Sequence, residues 1–224
     1  MRMGNWVDLS AADSFRLSAY RADPRGVSRG ALVVAQEIFG VNSHIRSVCD
    51  GYAADGYVAI APALFDRYER GVDIGYTPPD VARGRELKVL AKADAALQDV
   101  AAARDAVAGV GKVGILGYCW GGYIAWIAAA RVAGLACAVP YYGGGMTDAI
   151  AEQPKCPVLA HFGERDSMIP VTGVKALAAA HPSAQVYLYA ADHGFNCDQR
   201  GSFDAASAKL ARERTLAFLR QHIG

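Results

Sequence analysis

The 224-residue sequence has no Cys-x-x-Cys pair, and its five cysteines are odd in number and widely spaced. That argues against a disulfide framework or a zinc site and for a reducing compartment, the cytoplasm. No run of basic residues is interleaved with aromatics, and the formal net charge is only +1. A nucleic acid or other polyanion is therefore not an expected partner. Residues 1–10 lack an apolar signal core. The longest apolar stretch, Tyr123 to Val139, is interrupted by Arg131 and Gly134. It reads as a buried helix followed by a buried strand, and no membrane span is expected. There is no internal repeat, low-complexity segment or linker, so residues 1–224 read as one domain with a substantial core.

What is present is alternation. Residues 6–9 and 15–20 alternate apolar and polar side chains around a turn at 11–13, the pattern of an antiparallel hairpin. From residue 30 onward, short apolar runs alternate with helical patterns. Strands are expected at 30–36, 57–61, 112–116, 135–140, 157–162 and 185–189. Helices are expected at 42–54 with Asn42 as N-cap, at 81–107, 121–133 and 171–180, and at 202–220 with Ala208, Leu210, Ala211, Leu216, Ala217 and Leu219 inward. Residues 63–80 have no periodicity and read as a long loop able to cover a site. The fold class is α/β: a mostly parallel sheet with helices on both faces and an N-terminal antiparallel hairpin.

One segment carries chemistry. Gly117-Tyr118-Cys119-Trp120-Gly121-Gly122 lies between the apolar run ending at Leu116 and the helical pattern beginning near Tyr123. Glycines two residues before and after a central residue, at a strand-to-helix turn, form a nucleophile elbow with cysteine at its centre. The turn strains that residue, and side chains at Gly117 and Gly121 would clash with neighbouring backbone. The sulfur is held at a helix N-terminus, where the macrodipole favours negative charge and free N–H groups can receive an oxyanion.

Such a nucleophile needs a base and a group to orient the base, and on an elbow both follow it in the chain. Two segments at strand ends qualify: Gly163-Glu164-Arg165-Asp166 and Asp192-His193-Gly194-Phe195. His193 is the candidate base. His44 falls in a helix, His161 inside a strand as a hydrogen-bonded core residue, His181 at a helix end and His222 at the C-terminus. Asp166 is preferred to Glu164 because it lies further out on its loop.

These residues resemble a family. Gln36-Glu37-Ile38-Phe39-Gly40-Val41-Asn42, Ala61-Pro62, Gly117 to Gly122, Tyr141-Tyr142-Gly143, Gly163 to Asp166 and His193-Gly194-Phe195 together look like dienelactone hydrolase, in order over nearly the whole chain. The resemblance implies an α/β-hydrolase fold and a Cys-His-Asp triad of Cys119, His193 and Asp166 acting on an enol-lactone in aromatic-compound breakdown. It also implies that Glu37 pairs with the cysteine and takes its proton when substrate binds. An apolar setting at the end of a buried strand would suit Glu37 to that exchange, and the competing reading pairs it with an arginine such as Arg46. The oxyanion donors would be the backbone N–H groups of Ile38 and Trp120.

Two arginines hold the substrate carboxylate in well-known members. Arg85 matches one, with Arg83 a neighbour of equal chemistry. The other belongs to an H-x-F-x-R pattern that here reads His193-Gly-Phe-Asn-Cys197, with Arg200 in a different register. The missing arginine leaves a neutral-substrate carboxylesterase or thioesterase as the alternative enzyme. A non-catalytic ligand-binding or redox-sensing protein is the alternative outside catalysis. Phe39, Tyr76, Trp120, Tyr142 and Phe195 are candidate pocket walls, with Phe39, Tyr142 and Phe195 as substrate contacts. Because a thiolate leaves readily, the substrate must carry an enolate, phenolate or thiolate leaving group. The expected partner is a small-molecule ester or lactone, with no cofactor or metal, acting on a monomer.

Overall fold

A computed structural model describes residues 4–224; Met1, Arg2 and Met3 lie outside them. Eight strands form one sheet in the order β1-β2-β4-β3-β5-β6-β7-β8. They are β1 (Gly4–Ser10), β2 (Arg16–Ala22), β3 (Ala31–Ala35), β4 (Val58–Pro62), β5 (Val113–Tyr118), β6 (Leu135–Tyr141), β7 (Leu159–Gly163) and β8 (Gln185–Tyr189). The hairpin of β1 and β2 joins the sheet antiparallel through β2 and β4, and every later pairing is parallel. Every residue of β3, β4 and β5 is buried, which explains their unbroken apolar runs.

Six helices cover the sheet: α1 (Ser43–Ala54), α2 (Pro78–Leu90), α3 (Ala93–Val107), α4 (Trp120–Arg131), α5 (Val171–Ala180) and α6 (Ala205–His222). Asn42 caps α1, its side chain accepting from Ile45 N–H at 3.2 Å. α3 and α4 pack together on one face. α1 and α6 lie on the other, joined by Arg212, which bonds Gly51 O and Asp55. β3 and β5 are neighbours, but the chain leaves β3 toward β4 and returns to β5 on the opposite side. That reversal opens a crevice beyond the strand ends, where open α/β sheets bind ligands.

Two expectations need correction. The helix over 81–107 is two helices, α2 and α3, broken at Ala91 and Lys92. Apolar spacing runs across the break, so periodicity cannot detect it; the Lys92 N–H released there donates to Tyr68 Oη at 2.8 Å. In α6 the inner face is Ser207, Ala211, Thr215, Phe218 and Leu219, while Leu210 is exposed. Thr215 is drawn inward by hydrogen bonds to Tyr141 Oη and His161 Nε2, which rotates the helix away from the register that apolar residues alone suggest.

The sharpest packing constraint lies where α4 starts. A Cβ on Gly121 would stand 2.5 Å from the carbonyl oxygen of Gln36, and closer still to that of Ala35. Gly121→Ala is therefore expected to lower stability by about 3 kcal/mol, the upper end of overpacking costs. Urea unfolding checks this: the midpoint should fall with the slope unchanged.

Candidate functional site

The elbow forms as its glycines require. Cys119 has φ 54° and ψ −117°, a backbone conformation that favours glycine. Its N–H donates to Tyr141 O at 3.1 Å, tying the turn to the end of β6. A Cβ on Gly122 would come within 2.6 Å of that same Tyr141 oxygen. Only glycine therefore permits the first turn of α4 to lie this close. Trp120 begins α4 and Ile38 follows β3 in the chain; among the described residues neither N–H donates a hydrogen bond. Both residues are buried.

His193 follows β8 and Asp166 follows β7. The two side chains meet, with His193 Nδ1 at 2.7 Å from Asp166 Oδ2. Both are almost fully buried. The other Asp166 oxygen accepts from Met168 N–H at 2.9 Å, which fixes the carboxylate plane. Glu164 is exposed and does not take part. Burial opposes a charge on His193, but the Asp166 hydrogen bond and the nearby Cys119 sulfur outweigh it and hold the imidazole up at about 9. His193 Nε2 is buried and has no hydrogen-bond partner in the static geometry. It is the ring atom available to a reacting group. His161, in contrast, is a core residue bonded to Tyr189 and Thr215, and burial lowers it to about 3.

Glu37 is fully buried but not in the apolar setting expected of it. Tyr76 Oη donates to its Oε2 at 3.0 Å and Arg200 Nη1 to its Oε1 at 3.3 Å. Asn42 Nδ2 in turn donates to Tyr76 Oη at 3.1 Å. Arg46, the arginine considered for this pairing, binds Asp73 and Val41 O instead.

Arg200, three positions beyond the H-x-F-x-R register, pairs with Glu37 and lines the cavity. Cys197 N–H bonds Gly194 O, Arg200 N–H bonds Cys197 O and Phe203 N–H bonds Arg200 O. These linked turns repeat every three residues, and both Cys197 and Arg200 come beside Glu37. Gly194, at φ 78°, leaves the lane open: a Cβ there would stand 2.5 Å from Arg200 Nη1. Cys197 itself is buried, and burial with the adjacent Glu37 charge pushes its thiol up to about 11.

A cavity of about 120 Å³ collects these groups; Cys119, His193, Arg85, Arg200, Ile38 and Phe39 line it. Val81 and Lys88 also face it from α2 and Met168 from the loop after β7; sequence reasoning missed these three. Val81, Arg85 and Lys88 are spaced i, i+4, i+7, so the face that carries Arg85 already contained the signal for Lys88. Gly84 lets α2 approach, since a Cβ there would overlap Ile38 O. Arg83 points elsewhere and pairs with Glu69 and Glu86.

Tyr142 and Phe195 do not line this cavity, contrary to expectation. Both are fully buried beneath it: Tyr142 packs edge-on against the His193 ring at 5.1 Å and Phe195 against Tyr142 at 5.4 Å. Strand-end aromatics fill the core there and support the imidazole from below. Tyr76 bonds Glu37, and Trp120 stacks on Phe65 at 5.0 Å.

Comparison with known proteins identifies the chain. The sequence model of the dienelactone hydrolase family matches residues 17–223. A protein of Synechocystis sp. named "Putative carboxymethylenebutenolidase" is 36% identical over 222 residues, covering 90% of each chain. The carboxymethylenebutenolidase of Pseudomonas putida is 32% identical over 226 residues, covering 95% of this chain and 94% of its own. Among solved structures, a "Putative Dienelactone Hydrolase" from Klebsiella pneumoniae superimposes with a TM-score of 0.83 at 31% identity, covering 97% of this chain and 99% of its own. The chain belongs to the dienelactone hydrolase family, hydrolases of ester and lactone bonds.

Proposed function

We propose that the chain hydrolyses an enol-lactone or activated ester carrying a carboxylate, through a thioester on Cys119. The observation that supports this best is the shared cavity: a sulfur, an imidazole and two arginines line one space of about 120 Å³. A substrate carboxylate there meets Arg85 and Arg200, and its reacting carbonyl oxygen turns to the N–H groups of Ile38 and Trp120. The alternative of a neutral substrate rested on the missing arginine, and Arg200 at the cavity wall weighs against it.

The chemistry follows from the geometry. A bound carboxylate draws Arg200 off Glu37, and the uncompensated Glu37 accepts the Cys119 proton. The sulfur attacks the carbonyl carbon and a tetrahedral oxyanion forms. Collapse breaks the bond to the enol oxygen, which takes a proton from His193. The neutral imidazole, oriented by Asp166, then removes a proton from water; the hydroxide attacks the thioester and expels the sulfur. Sulfur is itself a good leaving group, so alkoxides and amines fail to leave in its place. Alkyl ester and peptide bonds are therefore poor substrates.

Three outcomes are expected. Cys119→Ala abolishes turnover and Cys119→Ser retains little, measured as burst and steady-state release from an aryl ester. Arg85→Ala and Arg200→Ala each lower kcat/KM for cis- or trans-dienelactone by about 10–100-fold, the worth of a charged hydrogen bond. Arg85→Ala should spare a neutral aryl ester and Arg200→Ala should not slow it, since Glu37 is then free without a carboxylate; equal losses on the two substrates would contradict the proposed carboxylate contact. The third concerns pH. His193 is raised from its ordinary 6.5 to about 9, so its pairing stabilises the fold fully below 6.5 and is lost as pH rises through 9. The thermal midpoint of the wild type should fall across that window, and Asp166→Asn should flatten the fall.

A further inference from the structure

Beneath the catalytic cavity lies a second group of reactive side chains. Glu37, His44 and Cys197 come from the end of β3, the first turn of α1 and the turns after His193. Each offers one ligand atom, these atoms lie within 4.8 Å of one another, and all three residues are buried. A carboxylate oxygen, an imidazole nitrogen and a sulfur are a donor set for zinc-like cations, while the sulfur disfavours magnesium and calcium.

His44 supplies an independent sign. Its side chain is more than nine-tenths buried, and its Nε2 has no hydrogen-bond partner. Its Nδ1 lies 3.4 Å from Asp198 Oδ1. A ligating histidine characteristically turns its other nitrogen to a carboxylate, which fixes the ring and leaves one lone pair for the cation. An orphaned buried nitrogen is costly and rare, and a cation on Nε2 would satisfy it. Access exists apart from the catalytic cavity. A groove of about 510 Å³, lined by His44, Ser47, Asn196, Asp198 and Phe203 among others, opens on the outer side of His44.

We propose that Glu37, His44 and Cys197 bind a thiophilic divalent cation of the zinc class, at a site separate from Cys119 and His193. On binding, Cys197 releases its proton to solvent and the sulfur joins the imidazole and carboxylate as ligands. The fourth position remains for water. The cation competes with Arg200 for Glu37. Where Glu37 serves as the proton acceptor proposed above, the loaded protein loses hydrolytic activity, and a chelator restores it.

Direct metal binding tests the site without reliance on catalysis. Zinc is titrated into chelator-treated full-length protein against a chromophoric competitor, and cobalt is added in parallel to read thiolate-to-cobalt absorption. The wild type and Cys119→Ala should each take up one equivalent and show the absorption. Cys197→Ser should lose it. Both Cys197→Ser and His44→Gln, checked as folded by circular dichroism, should bind zinc at least about tenfold more weakly. Loss of binding in Cys119→Ala with retention in Cys197→Ser would place the cation on the catalytic sulfur and overturn the proposal. So would the absence of stoichiometric binding in the wild type, or undiminished affinity in His44→Gln.

Discussion

The site depends on one close approach, the first turn of α4 resting on the ends of β3 and β6. Three glycines permit it: Gly117, Gly121 and Gly122 each stand where a Cβ would overlap backbone of a neighbouring element. This contact sets the position of Cys119 relative to Ile38, and therefore of the proposed nucleophile relative to the proposed oxyanion donors. The resulting strain is distributed along the sheet. Cys119 and Tyr142 both have positive φ, at the ends of adjacent strands. The N–H of Cys119 bonds Tyr141 O, and that of Tyr142 bonds His161 O at 2.7 Å. Each strained residue is thus held by the next strand, as over-determined conformations near functional sites require.

Charge is arranged in layers on this frame. Arg85, Lys88 and Arg200 line the cavity, while Asp166 and Glu37 are buried behind it. The two carboxylates differ through their partners. Asp166 is committed to His193 and to a backbone amide. Glu37 is held by Tyr76 and by Arg200, which also faces the cavity. A single guanidinium therefore links the cavity to the buried carboxylate. Burial makes the connection strong, since an acid stripped of its cation in a low-dielectric interior gains affinity for a proton. Burial of Arg200 opposes its charge too, and Glu37 together with Cys119, Tyr142 and Cys197 more than offsets that.

Much of this was legible in the sequence, for reasons that also explain what was not. Strands β3, β4 and β5 announce themselves because burial on both faces demands unbroken apolar runs. The elbow is legible because close backbone approach demands glycine at fixed offsets. The pairing of His193 with Asp166 was legible because strand ends and chain order limit the candidates. The failures share another cause: a side chain's direction depends on neighbours that are distant in sequence. Thr215 rotates α6 to meet Tyr141 and His161, which left Leu210 outside. Tyr142 and Phe195 stand at strand ends, yet pack downward against His193. The break between α2 and α3 has no glycine or proline to mark it and is accommodated by the hydroxyl of Tyr68.

Arg200 shows most clearly why a motif and a site are different things. H-x-F-x-R measures separation along the chain, whereas a carboxylate responds only to where the cation stands. The chain after His193 folds back in linked turns, and a long arginine side chain reaches Glu37 from three positions further on. Gly194 completes the substitution by lacking the Cβ that would block the path. The position where the H-x-F-x-R pattern has arginine holds Cys197 here, a short side chain that stays buried beside Glu37 and His44. The chain thus carries a cation at the cavity wall and, three residues earlier, a sulfur beside the buried carboxylate and imidazole below it.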